Sequence, residues 1–192
     1  MVNIFLKRAI GVAILAGVSV GANATTTALG EVSPGVPTTF TGSVLGNQQS
    51  FSDIFTFTLS QPNMSSGYSV VNFPLDIPNV GSLGTILSTM SLVTFGTDGL
   101  QGTGDDQVLK SVVLPSAGNT QDHLSLSWDQ PITGPAYLSI GGVTSGTLGG
   151  IYSGSIETVA APVPEPETYA MLLAGLGLMG AVVRRRSSRK TS

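Results

Sequence analysis

The chain has 192 residues, no cysteine and a single histidine, His123. Disulfides, thiol catalysis and cysteine-based zinc sites are thereby excluded, and little is left for a histidine-ligated metal or a Ser-His triad. Charge is segregated: of eight Lys and Arg residues only Lys110 lies between Thr25 and Ala160, where nine acidic residues leave a formal charge of −8 although the whole chain carries −3. Such a body repels phosphate backbones, which excludes nucleic acid as a partner and disfavours polyanions unless divalent cations bridge them.

Residues 1–24 have the pattern of a secretory signal peptide. Lys7 and Arg8 provide the positive region, Ala9 to Val20 the apolar one, and Ala22-Asn23-Ala24 a small-x-small cleavage site, so the mature chain is predicted to begin at Thr25. A G-x-S-x-G pattern at Gly17, Ser19 and Gly21 falls inside this segment, where no strand–turn–helix elbow can form, and is set aside.

Residues 25–160 are long enough for one domain with a real core. Short runs of Val, Ile, Thr, Tyr and Phe alternate with Gly, Pro, Asn, Asp and Ser clusters, which predicts an all-β domain. Candidate strands are Thr38–Leu45, Phe51–Leu59, Tyr68–Phe73, Thr85–Phe95, Gln107–Leu114, His123–Trp128, Ala136–Ile140 and Ile151–Val159, with Thr85–Phe95 long enough to hide a turn or a helical piece. Eight strands at this spacing point to a single β-sandwich or jelly-roll-like domain.

Within Phe51–Leu59, alternation places Phe51, Asp53, Phe55, Phe57 and Leu59 on one face, four of them large and apolar. Asp53 breaks that core face and needs donors or a cation. Two roles fit it, a hydrogen-bonded structural carboxylate, which is favoured, and a metal ligand. The Gly-rich stretch Gly96 to Asp106 offers Asp98, Asp105 and Asp106 as oxygen ligands for Ca²⁺, against the alternative of an exposed hairpin loop, since the spacing is not that of an EF-hand. Trp128, Tyr137 and Tyr152 would stack against sugars if they shared an open sheet face, and are otherwise core. The glycines from Gly141 to Gly154 suit tight turns and close strand approach, not a phosphate loop. Paired carboxylates such as Asp105 and Asp106 with Asp129 are poorly preorganised for glycoside hydrolysis, and no enzymatic activity is expected.

Residues 161–192 hold Pro164-Glu165-Pro166, an uncharged run from Tyr169 to Val183, and a basic cluster of Arg184, Arg185, Arg186, Arg189 and Lys190. A helix through the run is roughly 22 Å long, short for a bilayer, but snorkelling arginines and local thinning would cover the difference, so a transmembrane sorting helix is expected. The basic cluster would stay cytoplasmic by the positive-inside rule.

This ordered tail resembles the PEP-CTERM sorting signal. The Phe51-Ser52-Asp53-Ile54-Phe55 spelling is in turn similar to that of the FxDxF family of PEP-CTERM proteins. The resemblance implies export in a Gram-negative bacterium, an inner-membrane intermediate, and recognition of Pro164, Glu165 and Pro166 by an exosortase. The body is then released or attached at the cell surface or in the extracellular matrix. It also implies association with exopolysaccharide and biofilm, and it supplies no enzymatic activity. The function expected is that of a non-enzymatic surface or matrix protein. The alternative is a carbohydrate-binding module for the exopolysaccharide, assisted by Ca²⁺ or not.

Overall fold

The computed structural model describes residues 23–162 and 166–188, with backbone alone at 166, 182, 183 and 185–188. Residues 1–22 of the signal segment, Ala22 among them, and Pro164 and Glu165 of the tail, lie outside the described residues. Eleven strands and one helix follow in chain order: β1 Thr26–Val32, β2 Thr38–Leu45, β3 Ser50–Leu59, β4 Asn63–Asn72, β5 Leu75–Ile77, β6 Gly81–Leu83, β7 Thr85–Thr94, β8 Gln107–Val113, β9 His123–Trp128, β10 Pro135–Thr144, β11 Gly149–Ala160 and α1 Pro166–Ser188.

One sheet has the order β1-β3-β10-β7-β8; the other runs β5-β6-β11-β4-β9, with β2 also paired to β11. Without β1 and the small β5–β6 hairpin, two four-stranded sheets remain, β3-β10-β7-β8 and β2-β11-β4-β9. The chain changes sheet at every step between these eight strands except β7 to β8. That is jelly-roll order, the double Greek key that closes a sandwich around one core. The expected β-sandwich is therefore what the chain forms.

The core follows from alternation. Phe51, Asp53, Phe55, Phe57 and Leu59 of β3 all point inward and are buried, whereas Ser52 and Thr58 are exposed. They meet Tyr152 and Ile156 of β11, Leu138 and Ile140 of β10, and Leu87, Met90 and Leu92 of β7. Each of the buried Phe, Leu, Ile and Met side chains contributes about 1.5–3 kcal/mol by leaving water.

Differences from the sequence expectation have local causes. Thr85–Thr94 is one continuous strand, so the suspected break is absent; the length is absorbed by a register irregularity at Leu92/Val93 against β8. Strand β10 extends four residues beyond Ile140, because Gly141-Gly142 is a ladder segment and not a turn. A side chain at Gly142 would meet the Ile86 carbonyl at 2.5 Å and the Phe51 ring at 2.9 Å, so glycine is what lets β10 lie between β3 and β7. Strand β1 was not anticipated. It pairs in parallel with β3, with an irregularity between Ala28 and Gly30, where Gly30 has φ +80° and breaks the strand pattern.

Helix α1 also corrects an expectation. Pro166 at its first position and Glu167 in its first turn favour the start, and the arginines sit at the negative end of its dipole. It spans 23 residues, but its ends are Pro166-Glu167-Thr168 and Arg184 onward, and its middle is diluted by Ala and Gly. Among the described residues no helix is both long and apolar enough to cross a membrane, so the transmembrane helix expected there is not observed. Its Met171, Leu172, Leu173, Leu176, Leu178 and Met179 are all exposed.

Candidate functional site

Asp53 is fully buried and lies at the centre of a socket built by its own strand. Tyr152, 0% exposed, crosses from the opposite sheet and donates its hydroxyl to Asp53 Oδ2 at 2.5 Å. Phe51 stacks on the Tyr152 ring with centroids 5.3 Å apart, and Phe55 meets it edge-on at 6.4 Å. The three spelled residues of F-x-D-x-F thus surround one tyrosine. A side chain at Gly42 on β2 would overlap the Tyr152 ring, so that glycine opens the path of the hydroxyl to the carboxylate. On the other oxygen, Asp53 Oδ1 accepts the Thr25 backbone N–H at 2.9 Å and the Thr25 hydroxyl at 2.6 Å. Burial, then the hydrogen bond to Asp53 and its negative charge, push the Tyr152 hydroxyl far above the ordinary phenol range, so it remains a donor at any physiological pH. Of the two roles open to Asp53, the geometry is that of a satisfied structural carboxylate joining the two sheets and the first strand.

The Gly96–Asp106 loop closes on itself. Asp105 accepts from the Thr103 hydroxyl at 2.7 Å, the Thr97 hydroxyl at 3.0 Å and the Asp98 N–H at 3.2 Å. Asp106 accepts from the N–H groups of Gly102 at 2.7 Å and Gly96 at 3.0 Å and from the Tyr137 hydroxyl at 3.0 Å. Asp98 accepts from the Leu100 N–H at 2.8 Å. Among the described residues no group of three or more His, Asp or Glu is gathered as a metal site. Asp105 and Asp106 thus accept hydrogen bonds with both carboxylate oxygens, and Asp98 with Oδ1.

These bonds set a pH dependence. The Thr103 hydroxyl, helped by Asp98 N–H and Thr97, holds the Asp105 carboxyl down at about 2. For Asp106, burial pushes upward, but the Gly102 and Gly96 amides and Tyr137 outweigh it and the carboxyl lies below its ordinary value. A carboxyl depressed on folding stabilises above its unfolded value near ~3.9 and loses that contribution as pH falls through the folded value. Hydrogen exchange at the Asp98 amide, which donates to Asp105, is therefore expected to accelerate relative to its intrinsic rate between about pH 4 and pH 2, ahead of global unfolding. Exchange that stays slow to the acid limit would contradict these assignments.

The aromatic platform is not assembled. Tyr152 is core, Tyr137 is buried on the other sheet against Phe95 at 5.7 Å, and Trp128 is half-buried against the core. His123 begins β9, and Asp129 lies exposed after it. An open concavity lies elsewhere. A groove of about 560 Å³ lies over the outer face of β4, β9 and β11 and is lined by Ser69, Ser125, Ser127, Ser155, Asn119 and Glu157, with Lys110 from β8. Ser69 and Ser155 hydroxyls are 3.0 Å apart, and Lys110 Nζ donates to the Ser127 carbonyl at 2.8 Å. The signal was present in the sequence as serines at every second position, Ser125-x-Ser127 and Ser153-x-Ser155, but polar strand faces are ordinary and did not stand out.

Sequence reasoning also missed Asn63, 2% exposed, which clamps a loop through Ile132 N–H to its Oδ1 and its Nδ2 to Ile132 O, both 2.9 Å. Ala24 is exposed immediately before the first strand, and Arg184 is exposed near the end of α1, which also includes the backbone of Pro166, Arg185 and Arg186.

Residues 162–186 match the PEP-CTERM protein-sorting motif. That motif implies export, membrane-associated processing and an exosortase as the processing partner. The match does not extend to the Phe51–Phe55 segment. No curated protein matches the chain. Among solved structures, the chain is similar to the pre-peptidase C-terminal domain of a collagenase from Bacillus anthracis, at 18% identity over 69% of this chain and 94% of that one, with a TM-score of 0.35. That likeness is too distant to carry any property across.

Proposed function

We propose that the chain is a non-enzymatic surface or extracellular-matrix protein of a Gram-negative bacterium, and that an exosortase separates its body from the tail near Pro164–Pro166. The single observation that carries this is the sorting motif over residues 162–186, directly after the last strand of the sandwich. The exposed apolar side chains of α1 bring the tail to the inner membrane for cutting. The sandwich then contacts exopolysaccharide through the Ser69–Ser125–Ser155 groove. Serine hydroxyls and the Asn119 amide both donate and accept, as sugar hydroxyls do, so they suit a neutral glycan. The acidic body steers away negatively charged polymers. The chemistry that looked catalytic or metal-binding, at Asp53, Asp105 and Asp106, is committed to internal hydrogen bonds.

Titration of the exported protein with its host's exopolysaccharide tests the groove. Binding is expected to be insensitive to EDTA and to fall at least about tenfold in a Ser69→Tyr, Ser155→Tyr variant of unchanged melting temperature, since two rings would occupy the groove. Equal binding by that variant, or none by the parent, would remove the groove from the proposal.

A further inference from the structure

One of the three donors on Asp53, the Thr25 nitrogen at 2.9 Å, is also the atom that signal-peptide removal would change. We infer that cleavage after Ala24 converts the Thr25 amide into an α-ammonium that forms a part-buried ion pair with Asp53, so that maturation of the N-terminus completes the fold. This rests on the reading of residues 1–24 as a removed signal peptide.

In the uncut chain Asp53 is fully buried with three donors, Thr25 N–H, Thr25 hydroxyl and Tyr152 hydroxyl, and no cation among the described residues. The one basic residue of the body, Lys110, is engaged on β8 with Ser127 O. Hydrolysis adds one water across the Ala24–Thr25 peptide bond. Ala24 leaves as a carboxylate, and the Thr25 nitrogen takes the proton and becomes an ammonium. That nitrogen already sits 2.9 Å from Asp53 Oδ1, and Thr25 is held there independently of the departing segment, because Ile54 N–H donates to the Thr25 carbonyl at 2.8 Å. A positive charge thus arises at the position where a buried carboxylate lacks one. The cut also removes the bridge in which Asn23 bonds Ser50 O at 3.0 Å and Ser52 N at 2.9 Å. Ser50 and Ser52 are exposed, so water replaces those partners at small cost. An amine displaced by one residue moves about 3.3 Å along the strand and returns an amide to Asp53.

The test uses full-length protein exported with its own signal and recovered from the host. Intact mass should show a start at Thr25. Pulse labelling with an amine-reactive reagent near neutral pH should modify the Thr25 amine about tenfold or more slowly than in the unfolded protein, because a carboxylate at contact distance keeps it protonated. A variant with one alanine inserted between Ala24 and Thr25, processed to start at that alanine, should label at the unfolded rate and melt several degrees lower. In an Asp53→Asn background the two starts should melt together. Equal labelling and equal melting of the two starts in the wild-type background would overturn the inference while leaving the signal peptide intact. A mature start anywhere but Thr25 would overturn both.

Discussion

Replacing Asp53 with alanine is expected to destabilise the sandwich by about 3 kcal/mol or more, the largest effect of any single side chain described here. Three donors lose their acceptor at once. The Tyr152 hydroxyl is the costly one, because it is 0% exposed, walled by Phe51 and Phe55, and water cannot replace the lost partner. With a urea dependence of about 1–3 kcal/mol per molar, the unfolding midpoint should fall by about 1–3 M. Tyr152→Phe should cost less, about 1.5–3 kcal/mol, since Asp53 keeps both Thr25 donors. Asp53→Asn should also cost less, since the amide oxygen still accepts from Thr25 while the NH₂ donates to the tyrosine oxygen. Urea titration by circular dichroism ranks the three. An Asp53→Ala protein as stable as its parent would mean that the carboxylate is spare, and would return it to the list of ligating groups.

The second large effect concerns the tail. Substituting Pro164, Glu165 and Pro166 together by alanine is expected to abolish processing, leaving the full C-terminus on the exported protein and moving it from the surface or medium to the membrane fraction. Pro166 opens α1, and a proline disfavours helix in the residue before it. Alanines would let helix run back into the tripeptide and hide it. Replacing Arg184, Arg185 and Arg186 by glutamine should produce a related defect by a different route, because it removes the cationic end by which α1 would bind an anionic membrane surface. Intact mass and fractionation distinguish the results. Wild-type processing in the triple-alanine variant would mean that the tail is not read through these residues.

Much of the molecule was legible in the sequence, and the residues explain why. Strand β9 has the bounds expected of it, as does β2, because period-2 burial and bounding turn residues are local properties. The inward face of β3 was readable for the same reason, and so was the misfit of Asp53 within it. The sorting tail was readable because its three parts are contiguous and act without a fold.

What could not be read depends on residues far apart in the chain. That Phe51, Asp53 and Phe55 enclose Tyr152 needs two sheets packed face to face, across a separation of 99 residues between Asp53 and Tyr152. Gly141-Gly142 has the spelling of a turn, and only the closeness of Ile86 and Phe51 makes it strand. The acidic loop has the composition of a cation site, and only the folded loop shows that Thr97, Thr103 and the loop amides donate to Asp105 and Asp106. Composition, alternation and contiguous signals therefore determined where the chain goes and that it forms a β-sandwich. Sheet order, the parallel first strand and the partners of every buried carboxylate were decided by tertiary contacts, because a buried polar group takes whichever donor the packed fold brings to it.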